Sequence, residues 1–259
     1  SGRLIKMGSY SAYHKYVLLE QLAKQPSLEG DHLEGVDLSE GRFRRLGFSH
    51  TECLNTSFKQ ADLSDADVRN STFKGAILRS ANLSEASVER SHFLGSDMIE
   101  LKAPRSVFYK TRFEGSSVIK ADFSFSRILQ CRFLNTDFHS VDFSRSVWVH
   151  STIADNHLGN ASLIRSRFVG ATFTDVSLAK ANFAGADLSE ALFIHVDLGQ
   201  VNFKEAKLTG GAFYDKIARI LPADVNVIIN KDSWRVPEIF RLIQNKGNIE
   251  DREMYHTFN

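Results

Sequence analysis

The residues best suited to recognition chemistry on this chain are arginines. Arg105, Arg145 and Arg165 stand at multiples of twenty residues, and Arg127 and Arg167 stand forty apart. Tyr109, Leu129, Val149 and Val169 follow the same twenty-residue beat. If the fold stacks residues twenty apart, these five arginines border an apolar ladder. Phe125 then joins the column of Arg105, Arg145 and Arg165, and Glu85 heads it. Arginine and aromatic side chains around a desolvated apolar strip have the composition of a protein-binding hot spot. The plainer reading is that apolar residues suit strand faces and arginine stems shade them. Both readings are open at the level of sequence.

Other chemistry is thin. A second column, Asn135, Asp155, Asp175, His195 and Asp215, stacks carboxylates that repel one another, so His195 is expected to have a raised pKa. That column is solvated acidic decoration or a cation site. Of the remaining histidines none stacks on a second one in an adjacent coil (His32 and His92 share a column sixty residues apart, His50 and His150 one a hundred apart), which argues against a metal cluster. Cys53 and Cys131 fall on inward registers and give no disulfide framework. A catalytic thiolate needs exposure and a basic neighbour, and neither register offers them. No phosphate-binding loop, dinucleotide fingerprint or serine nucleophile elbow occurs. No catalytic residue, cofactor or metal is therefore assigned.

The element that must position the arginines is a repeat of five. From Leu33 to Phe213 an apolar residue recurs every fifth position without insertion or deletion, giving 37 centres of which 17 are Phe and 11 Leu. Two residues before each centre runs a small register: Ala61, Ala66, Ser71, Ala76, Ala81, Ala86. Helices need apolar residues every three or four positions and strands every two, so a period of five fits neither. It fits a chain that turns a corner every five residues. Within this register Ala103 underfills a centre, Trp148 overfills one, and Asn156 places an amide on the inner side. A local bulge is expected near Trp148–Leu158.

Lys and Arg total 32 against 31 Asp and Glu, for a formal charge of +1. That balance argues against bulk binding to nucleic acid or an anionic membrane. No stretch approaches the roughly 18 apolar residues of a membrane span. The chain opens on Ser1-Gly2, without a signal-peptide pattern, as after removal of an expression tag, and reads as a piece of a longer protein. The expected organisation is an N-terminal helical cap over 1–30, a shaft over 31–215, and a C-terminal cap with helices and a short strand over 216–259. Tyr13, Tyr16, Val17 and Leu22 share a helical stripe in the first cap. Ile217, Ala218 and Leu221, then Val236, Ile239, Phe240 and Ile243, do so in the second.

The pentads Ala61-Asp62-Leu63-Ser64-Asp65, Ala81-Asn82-Leu83-Ser84-Glu85 and Ala186-Asp187-Leu188-Ser189-Glu190 carry the A(D/N)LXX pattern. On them the chain resembles the pentapeptide-repeat family over roughly residues 31–215. The resemblance implies an all-β solenoid, a right-handed quadrilateral β-helix with short helical caps at both ends. Four pentads make one square coil, so residues twenty apart stack about 4.8 Å apart.

The resemblance also implies function classes. Extended solenoids offer long rigid surfaces at little ordering cost, which favours a protein-binding module. In layout the chain is similar to the N-terminal β-helix of secreted HECT-like E3 ubiquitin ligases of enteric bacteria. That likeness implies a host ubiquitin-system protein as partner and a reducing compartment, bacterial cytoplasm or host cytoplasm after delivery. The family's quinolone-resistance members suggest the alternative, a DNA mimic protecting a type II topoisomerase. Against it, residues 102–167 hold ten Lys/Arg and five Asp/Glu, the wrong sign for a mimic. Direct nucleic-acid binding is disfavoured because Leu129, Val149 and Val169 beside the arginines suit a protein better. Oligomeric state is open.

Overall fold

The computed structural model describes residues 4–6, 18–22, 24, 26–194, 196, 200–207 and 212–214. The pentads wind as a right-handed all-β solenoid. Three-residue strands on two adjacent sides of the square form parallel sheets of eleven and seven strands. Successive strands pair in a strict twenty-residue register, as in Phe93↔Phe113↔Phe133 and Phe108↔Ile128↔Trp148. The other two sides are tied by single parallel bridges at the same step, such as Asp62↔Asn82↔Lys102.

The period of five follows from this geometry. Centre and small register point inward and are buried, while the residue two past each centre turns the corner in left-handed backbone. L residues tolerate that conformation poorly, and Asn, Asp and Gly bear it best. A bond between coils compensates: Arg105 N–H reaches Ser124 O at 3.0 Å and Arg145 N–H reaches Ile164 O at 2.9 Å. The acidic or amide residue of the A(D/N)LXX pattern braces two corners of the square. Asp62 Oδ1 accepts from Ser64 N–H at 3.0 Å, and Asp142 Oδ1 accepts from Ser144 N–H at 2.8 Å.

The small register divides by side. Where a turn bond satisfies its N–H, as Ala61 to Phe58 O and Ala81 to Leu78 O, alanine suffices. After the three-residue strands a side chain from the next coil does this instead. Thr51 N–H donates to Ser71 Oγ (3.0 Å), Ser96 N–H to Ser116 Oγ (3.1 Å) and Cys131 N–H to Ser151 Oγ (3.1 Å). Buried polar backbone is thereby paired, which the interior demands.

Inside, rings stack at the coil spacing: Phe73–Phe93, Phe93–Phe113 and Phe113–Phe133 lie 4.9, 4.9 and 4.8 Å apart between centroids. Each buried centre contributes about 1.5–3 kcal/mol before chain entropy is counted. The bulge expected near Trp148–Leu158 is absent. Trp148 pairs in phase with Ile128 and Phe168, and Ile153 with Phe133 and Phe173. Room for the indole comes from its own coil, whose other centres, Ile153, Leu158 and Leu163, are aliphatic. Asn156 is no weak spot either, because its amide bonds across the coils (Thr136 N–H to Oδ1, 2.6 Å; Nδ2 to Phe133 O, 3.0 Å).

The coil begins one pentad earlier than the sequence register suggests, with Leu28 buried and Ser27 bridged to Gly47. Within the stretch read as a helical cap, Leu4–Lys6 is a strand that extends the eleven-stranded sheet by pairing with His32–Glu34. It covers an edge that would otherwise template aggregation. Residues 18–22 are helical, with Leu18 and Leu22 packed on the core. Tyr13, Tyr16 and Val17 lie outside the described residues, as does all of 216–259.

Candidate functional site

All nine residues of the expected binding face are described, and the solenoid brings them together. Tyr109, Leu129, Val149 and Val169 are consecutive rungs on the outer side of the seven-stranded sheet. Arg127 and Arg167 share that side, with Val147 between them, and Arg105, Arg145 and Arg165 occupy the corner just before it. The arginines are exposed, whereas the ladder is half-buried rather than open. Rungs one coil apart shade each other, and arginine stems add cover. Arg165 leans over the corner below it, where a Cβ on Gly185 would meet its Cγ at 3.3 Å.

The face is under-neutralised. Arg105 has only a loose contact with Glu85 at 3.9 Å. Among the described residues Arg127, Arg145 and Arg165 have no carboxylate within ion-pair distance. Arg167 adds to the fields that lower the Asp187 pKa. Lys110 sits 5.0 Å over the Tyr109 ring. The residue that sequence reasoning left off the site is Phe125, 46% exposed with the Arg105 and Arg145 guanidiniums 5.8 and 5.2 Å from its ring centroid. Its signal was available: it is an apolar residue at a corner position.

On the opposite corner Asn135, Asp155 and Asp175 follow one another with φ of 48°, 54° and 52°. His195 and Asp215, and with them the expected histidine shift, lie outside the described residues. Among the described residues no three His, Cys, Asp or Glu side chains are grouped to hold a metal ion. His139 and His157 do line one open hollow of about 390 Å³, with Asp137, Asn160 and Lys180. Column counting missed that neighbourhood because the two histidines sit on different registers of adjacent coils.

Both thiols are buried and free. Burial pushes Cys131 up to about 12, against smaller lowering by backbone bonds at Thr111 and Leu129, and burial raises Cys53 as well. In the folded protein at pH 8 both are expected to react with a disulfide reagent at least about a hundredfold slower than free cysteine. A fast-reacting thiol in a stopped-flow assay would show the inward register to be wrong there.

Pentapeptide repeats, in eight copies, match residues 48–79, 56–95, 157–193 and 173–210. Among curated proteins, phosphoribosylformylglycinamidine cyclo-ligases match over 52 residues. That of Geotalea daltonii is 54% identical over 20% of this chain, and that of Thermoanaerobacter pseudethanolicus 58% identical over 20%. The chain spans only about 15% of the length of these relatives. Among solved structures, trypsin-treated QnrB1, a plasmid-mediated fluoroquinolone resistance protein, aligns over 70% of this chain and 90% of its own at 21% identity, TM-score 0.51. HetL of Nostoc sp. strain PCC 7120, a pentapeptide-repeat protein involved in heterocyst differentiation regulation, aligns over 76% and 95% at 19% identity, TM-score 0.44. At these identities the likeness concerns fold. With the square coil continuous in register, the chain is a right-handed all-β solenoid of five-residue repeats, similar to the pentapeptide repeats over residues 48–95 and 157–210.

Proposed function

We propose that this solenoid is a non-catalytic scaffold that docks another protein on the face of Arg105, Tyr109, Arg127, Leu129, Arg145, Val149, Arg165, Arg167 and Val169. The observation that carries the reading is a set of exposed arginines, three of them without an ion-pair partner among the described residues and Arg105 only loosely held by Glu85, around a half-buried apolar ladder. The finer form of the proposal is the recognition portion of a larger HECT-like E3 ubiquitin ligase effector, working in a reducing compartment on a host ubiquitin-system protein. The helical residues 18–22 ahead of the shaft support that layout, and the free buried thiols support the compartment.

The second reading, protection of a type II topoisomerase, draws support from the fold shared with QnrB1. The basic excess over residues 102–167 weighs against it. The test is affinity capture with the wild type, with Arg145→Glu/Val149→Asp, and with Asp155→Asn on the opposite corner. A protein held by the wild type and the Asp155 variant but lost from the double variant is the expected result. Equal capture by all three overturns the face. Restored supercoiling when the wild type is added to ciprofloxacin-inhibited gyrase would favour the second reading.

A further inference from the structure

Phe125 breaks two local rules at once. Its φ is 58°, and every other residue with positive φ among those described is polar, charged or glycine. It is also, with Ile77, one of the two large hydrophobic side chains left exposed among the described residues. Its own column runs Arg45, Asp65, Glu85, Arg105, Phe125, Arg145, Arg165, the composition expected of a solvated corner. An aromatic there adds nothing to the core, since its side chain points away from it. A residue that violates local preference without a packing gain marks a functional position.

Its surroundings indicate the ligand. Arg105 from one neighbouring coil and Arg145 from the other approach the ring, at 5.8 and 5.2 Å from its centroid. The ring orders two long cationic side chains, Arg145 without a carboxylate partner among the described residues and Arg105 with only Glu85 at 3.9 Å. Two coil spacings separate their backbones by about 9.6 Å, a span that a pair of carboxylates can match. Acidic residues seven apart on a helix lie about 10.5 Å apart on one face, with an intervening residue at the third or fourth place between them.

We propose that Arg105, Phe125 and Arg145 form a clamp for an acidic amphipathic helix of a partner protein lying along the shaft, its two carboxylates on the guanidiniums and an apolar side chain between them on Phe125. This rests on the docking-face reading and names its partner chemistry. The basic excess of residues 102–167 supplies the complementary field. A nucleic-acid ligand is the poorer fit, because the half-buried apolar ladder on the adjoining side offers nothing to phosphate.

The test is fluorescence anisotropy with a labelled alanine-based helical peptide carrying Glu, Leu and Glu at first, fourth and eighth places. A Gln-for-Glu peptide and labelled oligo(dT) are run beside it. Phe125→Asn should fold as the wild type does, since Asn55, Asn70, Asn135 and Asn160 occupy the same corner position. Phe125→Asn and Arg145→Gln are each expected to weaken the Glu peptide at least tenfold, and raised salt should weaken it for the wild type. No binding of the Glu peptide at millimolar concentration, equal binding of the Gln peptide, or Phe125→Asn binding within twofold of wild type would overturn the clamp. Tighter binding of oligo(dT) would overturn it in favour of nucleic acid. If Val149→Asp abolishes partner capture while Phe125→Asn leaves it unchanged, the docking face stands and the clamp falls.

Discussion

Replacing Trp148 by alanine is expected to cost the shaft about 3–5 kcal/mol, and replacing it by phenylalanine less than about 1.5 kcal/mol. The indole is fully buried, with the rings of Phe133, Phe143 and Phe168 at 5.1, 4.8 and 5.1 Å, and its N–H donates to Ser146 Oγ at 2.9 Å. Alanine removes all of these contacts, and the square frame cannot collapse around the void because bonded coils fix it above and below. Phenylalanine keeps the stack, as Phe108 and Phe168 do in the same column. Ser146 Oγ retains its own acceptor, Phe143 O, at 2.6 Å. Urea unfolding followed by far-ultraviolet circular dichroism measures both variants. A falling midpoint for alanine is the signature, and a cost below about 1 kcal/mol would refute the packed-centre account. A solenoid is stabilised through neighbouring coils, so the alanine variant is also expected to unfold less cooperatively. Trp148 sits between Val147 and Val149 in one strand, so the same loss reaches the docking face.

Much of this was legible in sequence, for a physical reason. A five-residue corner allows one inward side chain per side and one small residue per turn, so the core writes itself into the chain as a period. The columns followed from that period, and the arginines and the apolar ladder come together because stacking at twenty residues is rigid. Three things were not legible. The sides of the square differ in how they satisfy the small-register N–H, and the pentad pattern treats them alike, so Asn156 looked like a fault. The volume of Trp148 was judged alone, whereas Ile153, Leu158 and Leu163 in its coil compensate. Phe125 stood in the arginine column from the start. Its weight became visible only when its left-handed backbone, its exposure and its two guanidinium neighbours were seen together.

Asn156 supplies the second large effect, and its expected pattern separates two accounts of the inner register. If that register only requires small volume, Asn156→Ala should be stabilising. If it must satisfy backbone, alanine should destabilise, serine should be close to neutral, and leucine should cost about 3–5 kcal/mol from lost hydrogen bonds together with overpacking. The structure favours the second account. Asn156 is 2% exposed, accepts the Thr136 N–H at 2.6 Å and donates to Phe133 O at 3.0 Å. Two coils earlier Ser116 makes the same pair of bonds with a hydroxyl, accepting Ser96 N–H at 3.1 Å and donating to Phe93 O at 3.3 Å. Serine at 156 therefore has a geometry already realised in the same column, whereas leucine leaves a buried N–H with no acceptor and adds volume where the corner must close. Thermal unfolding of the three variants orders them, with serine nearest wild type, then alanine, then leucine. Amide exchange at Thr136 should accelerate in the alanine and leucine variants and stay slow in the serine variant. An alanine variant more stable than wild type would show that small volume alone governs the register, and that its polar residues are incidental.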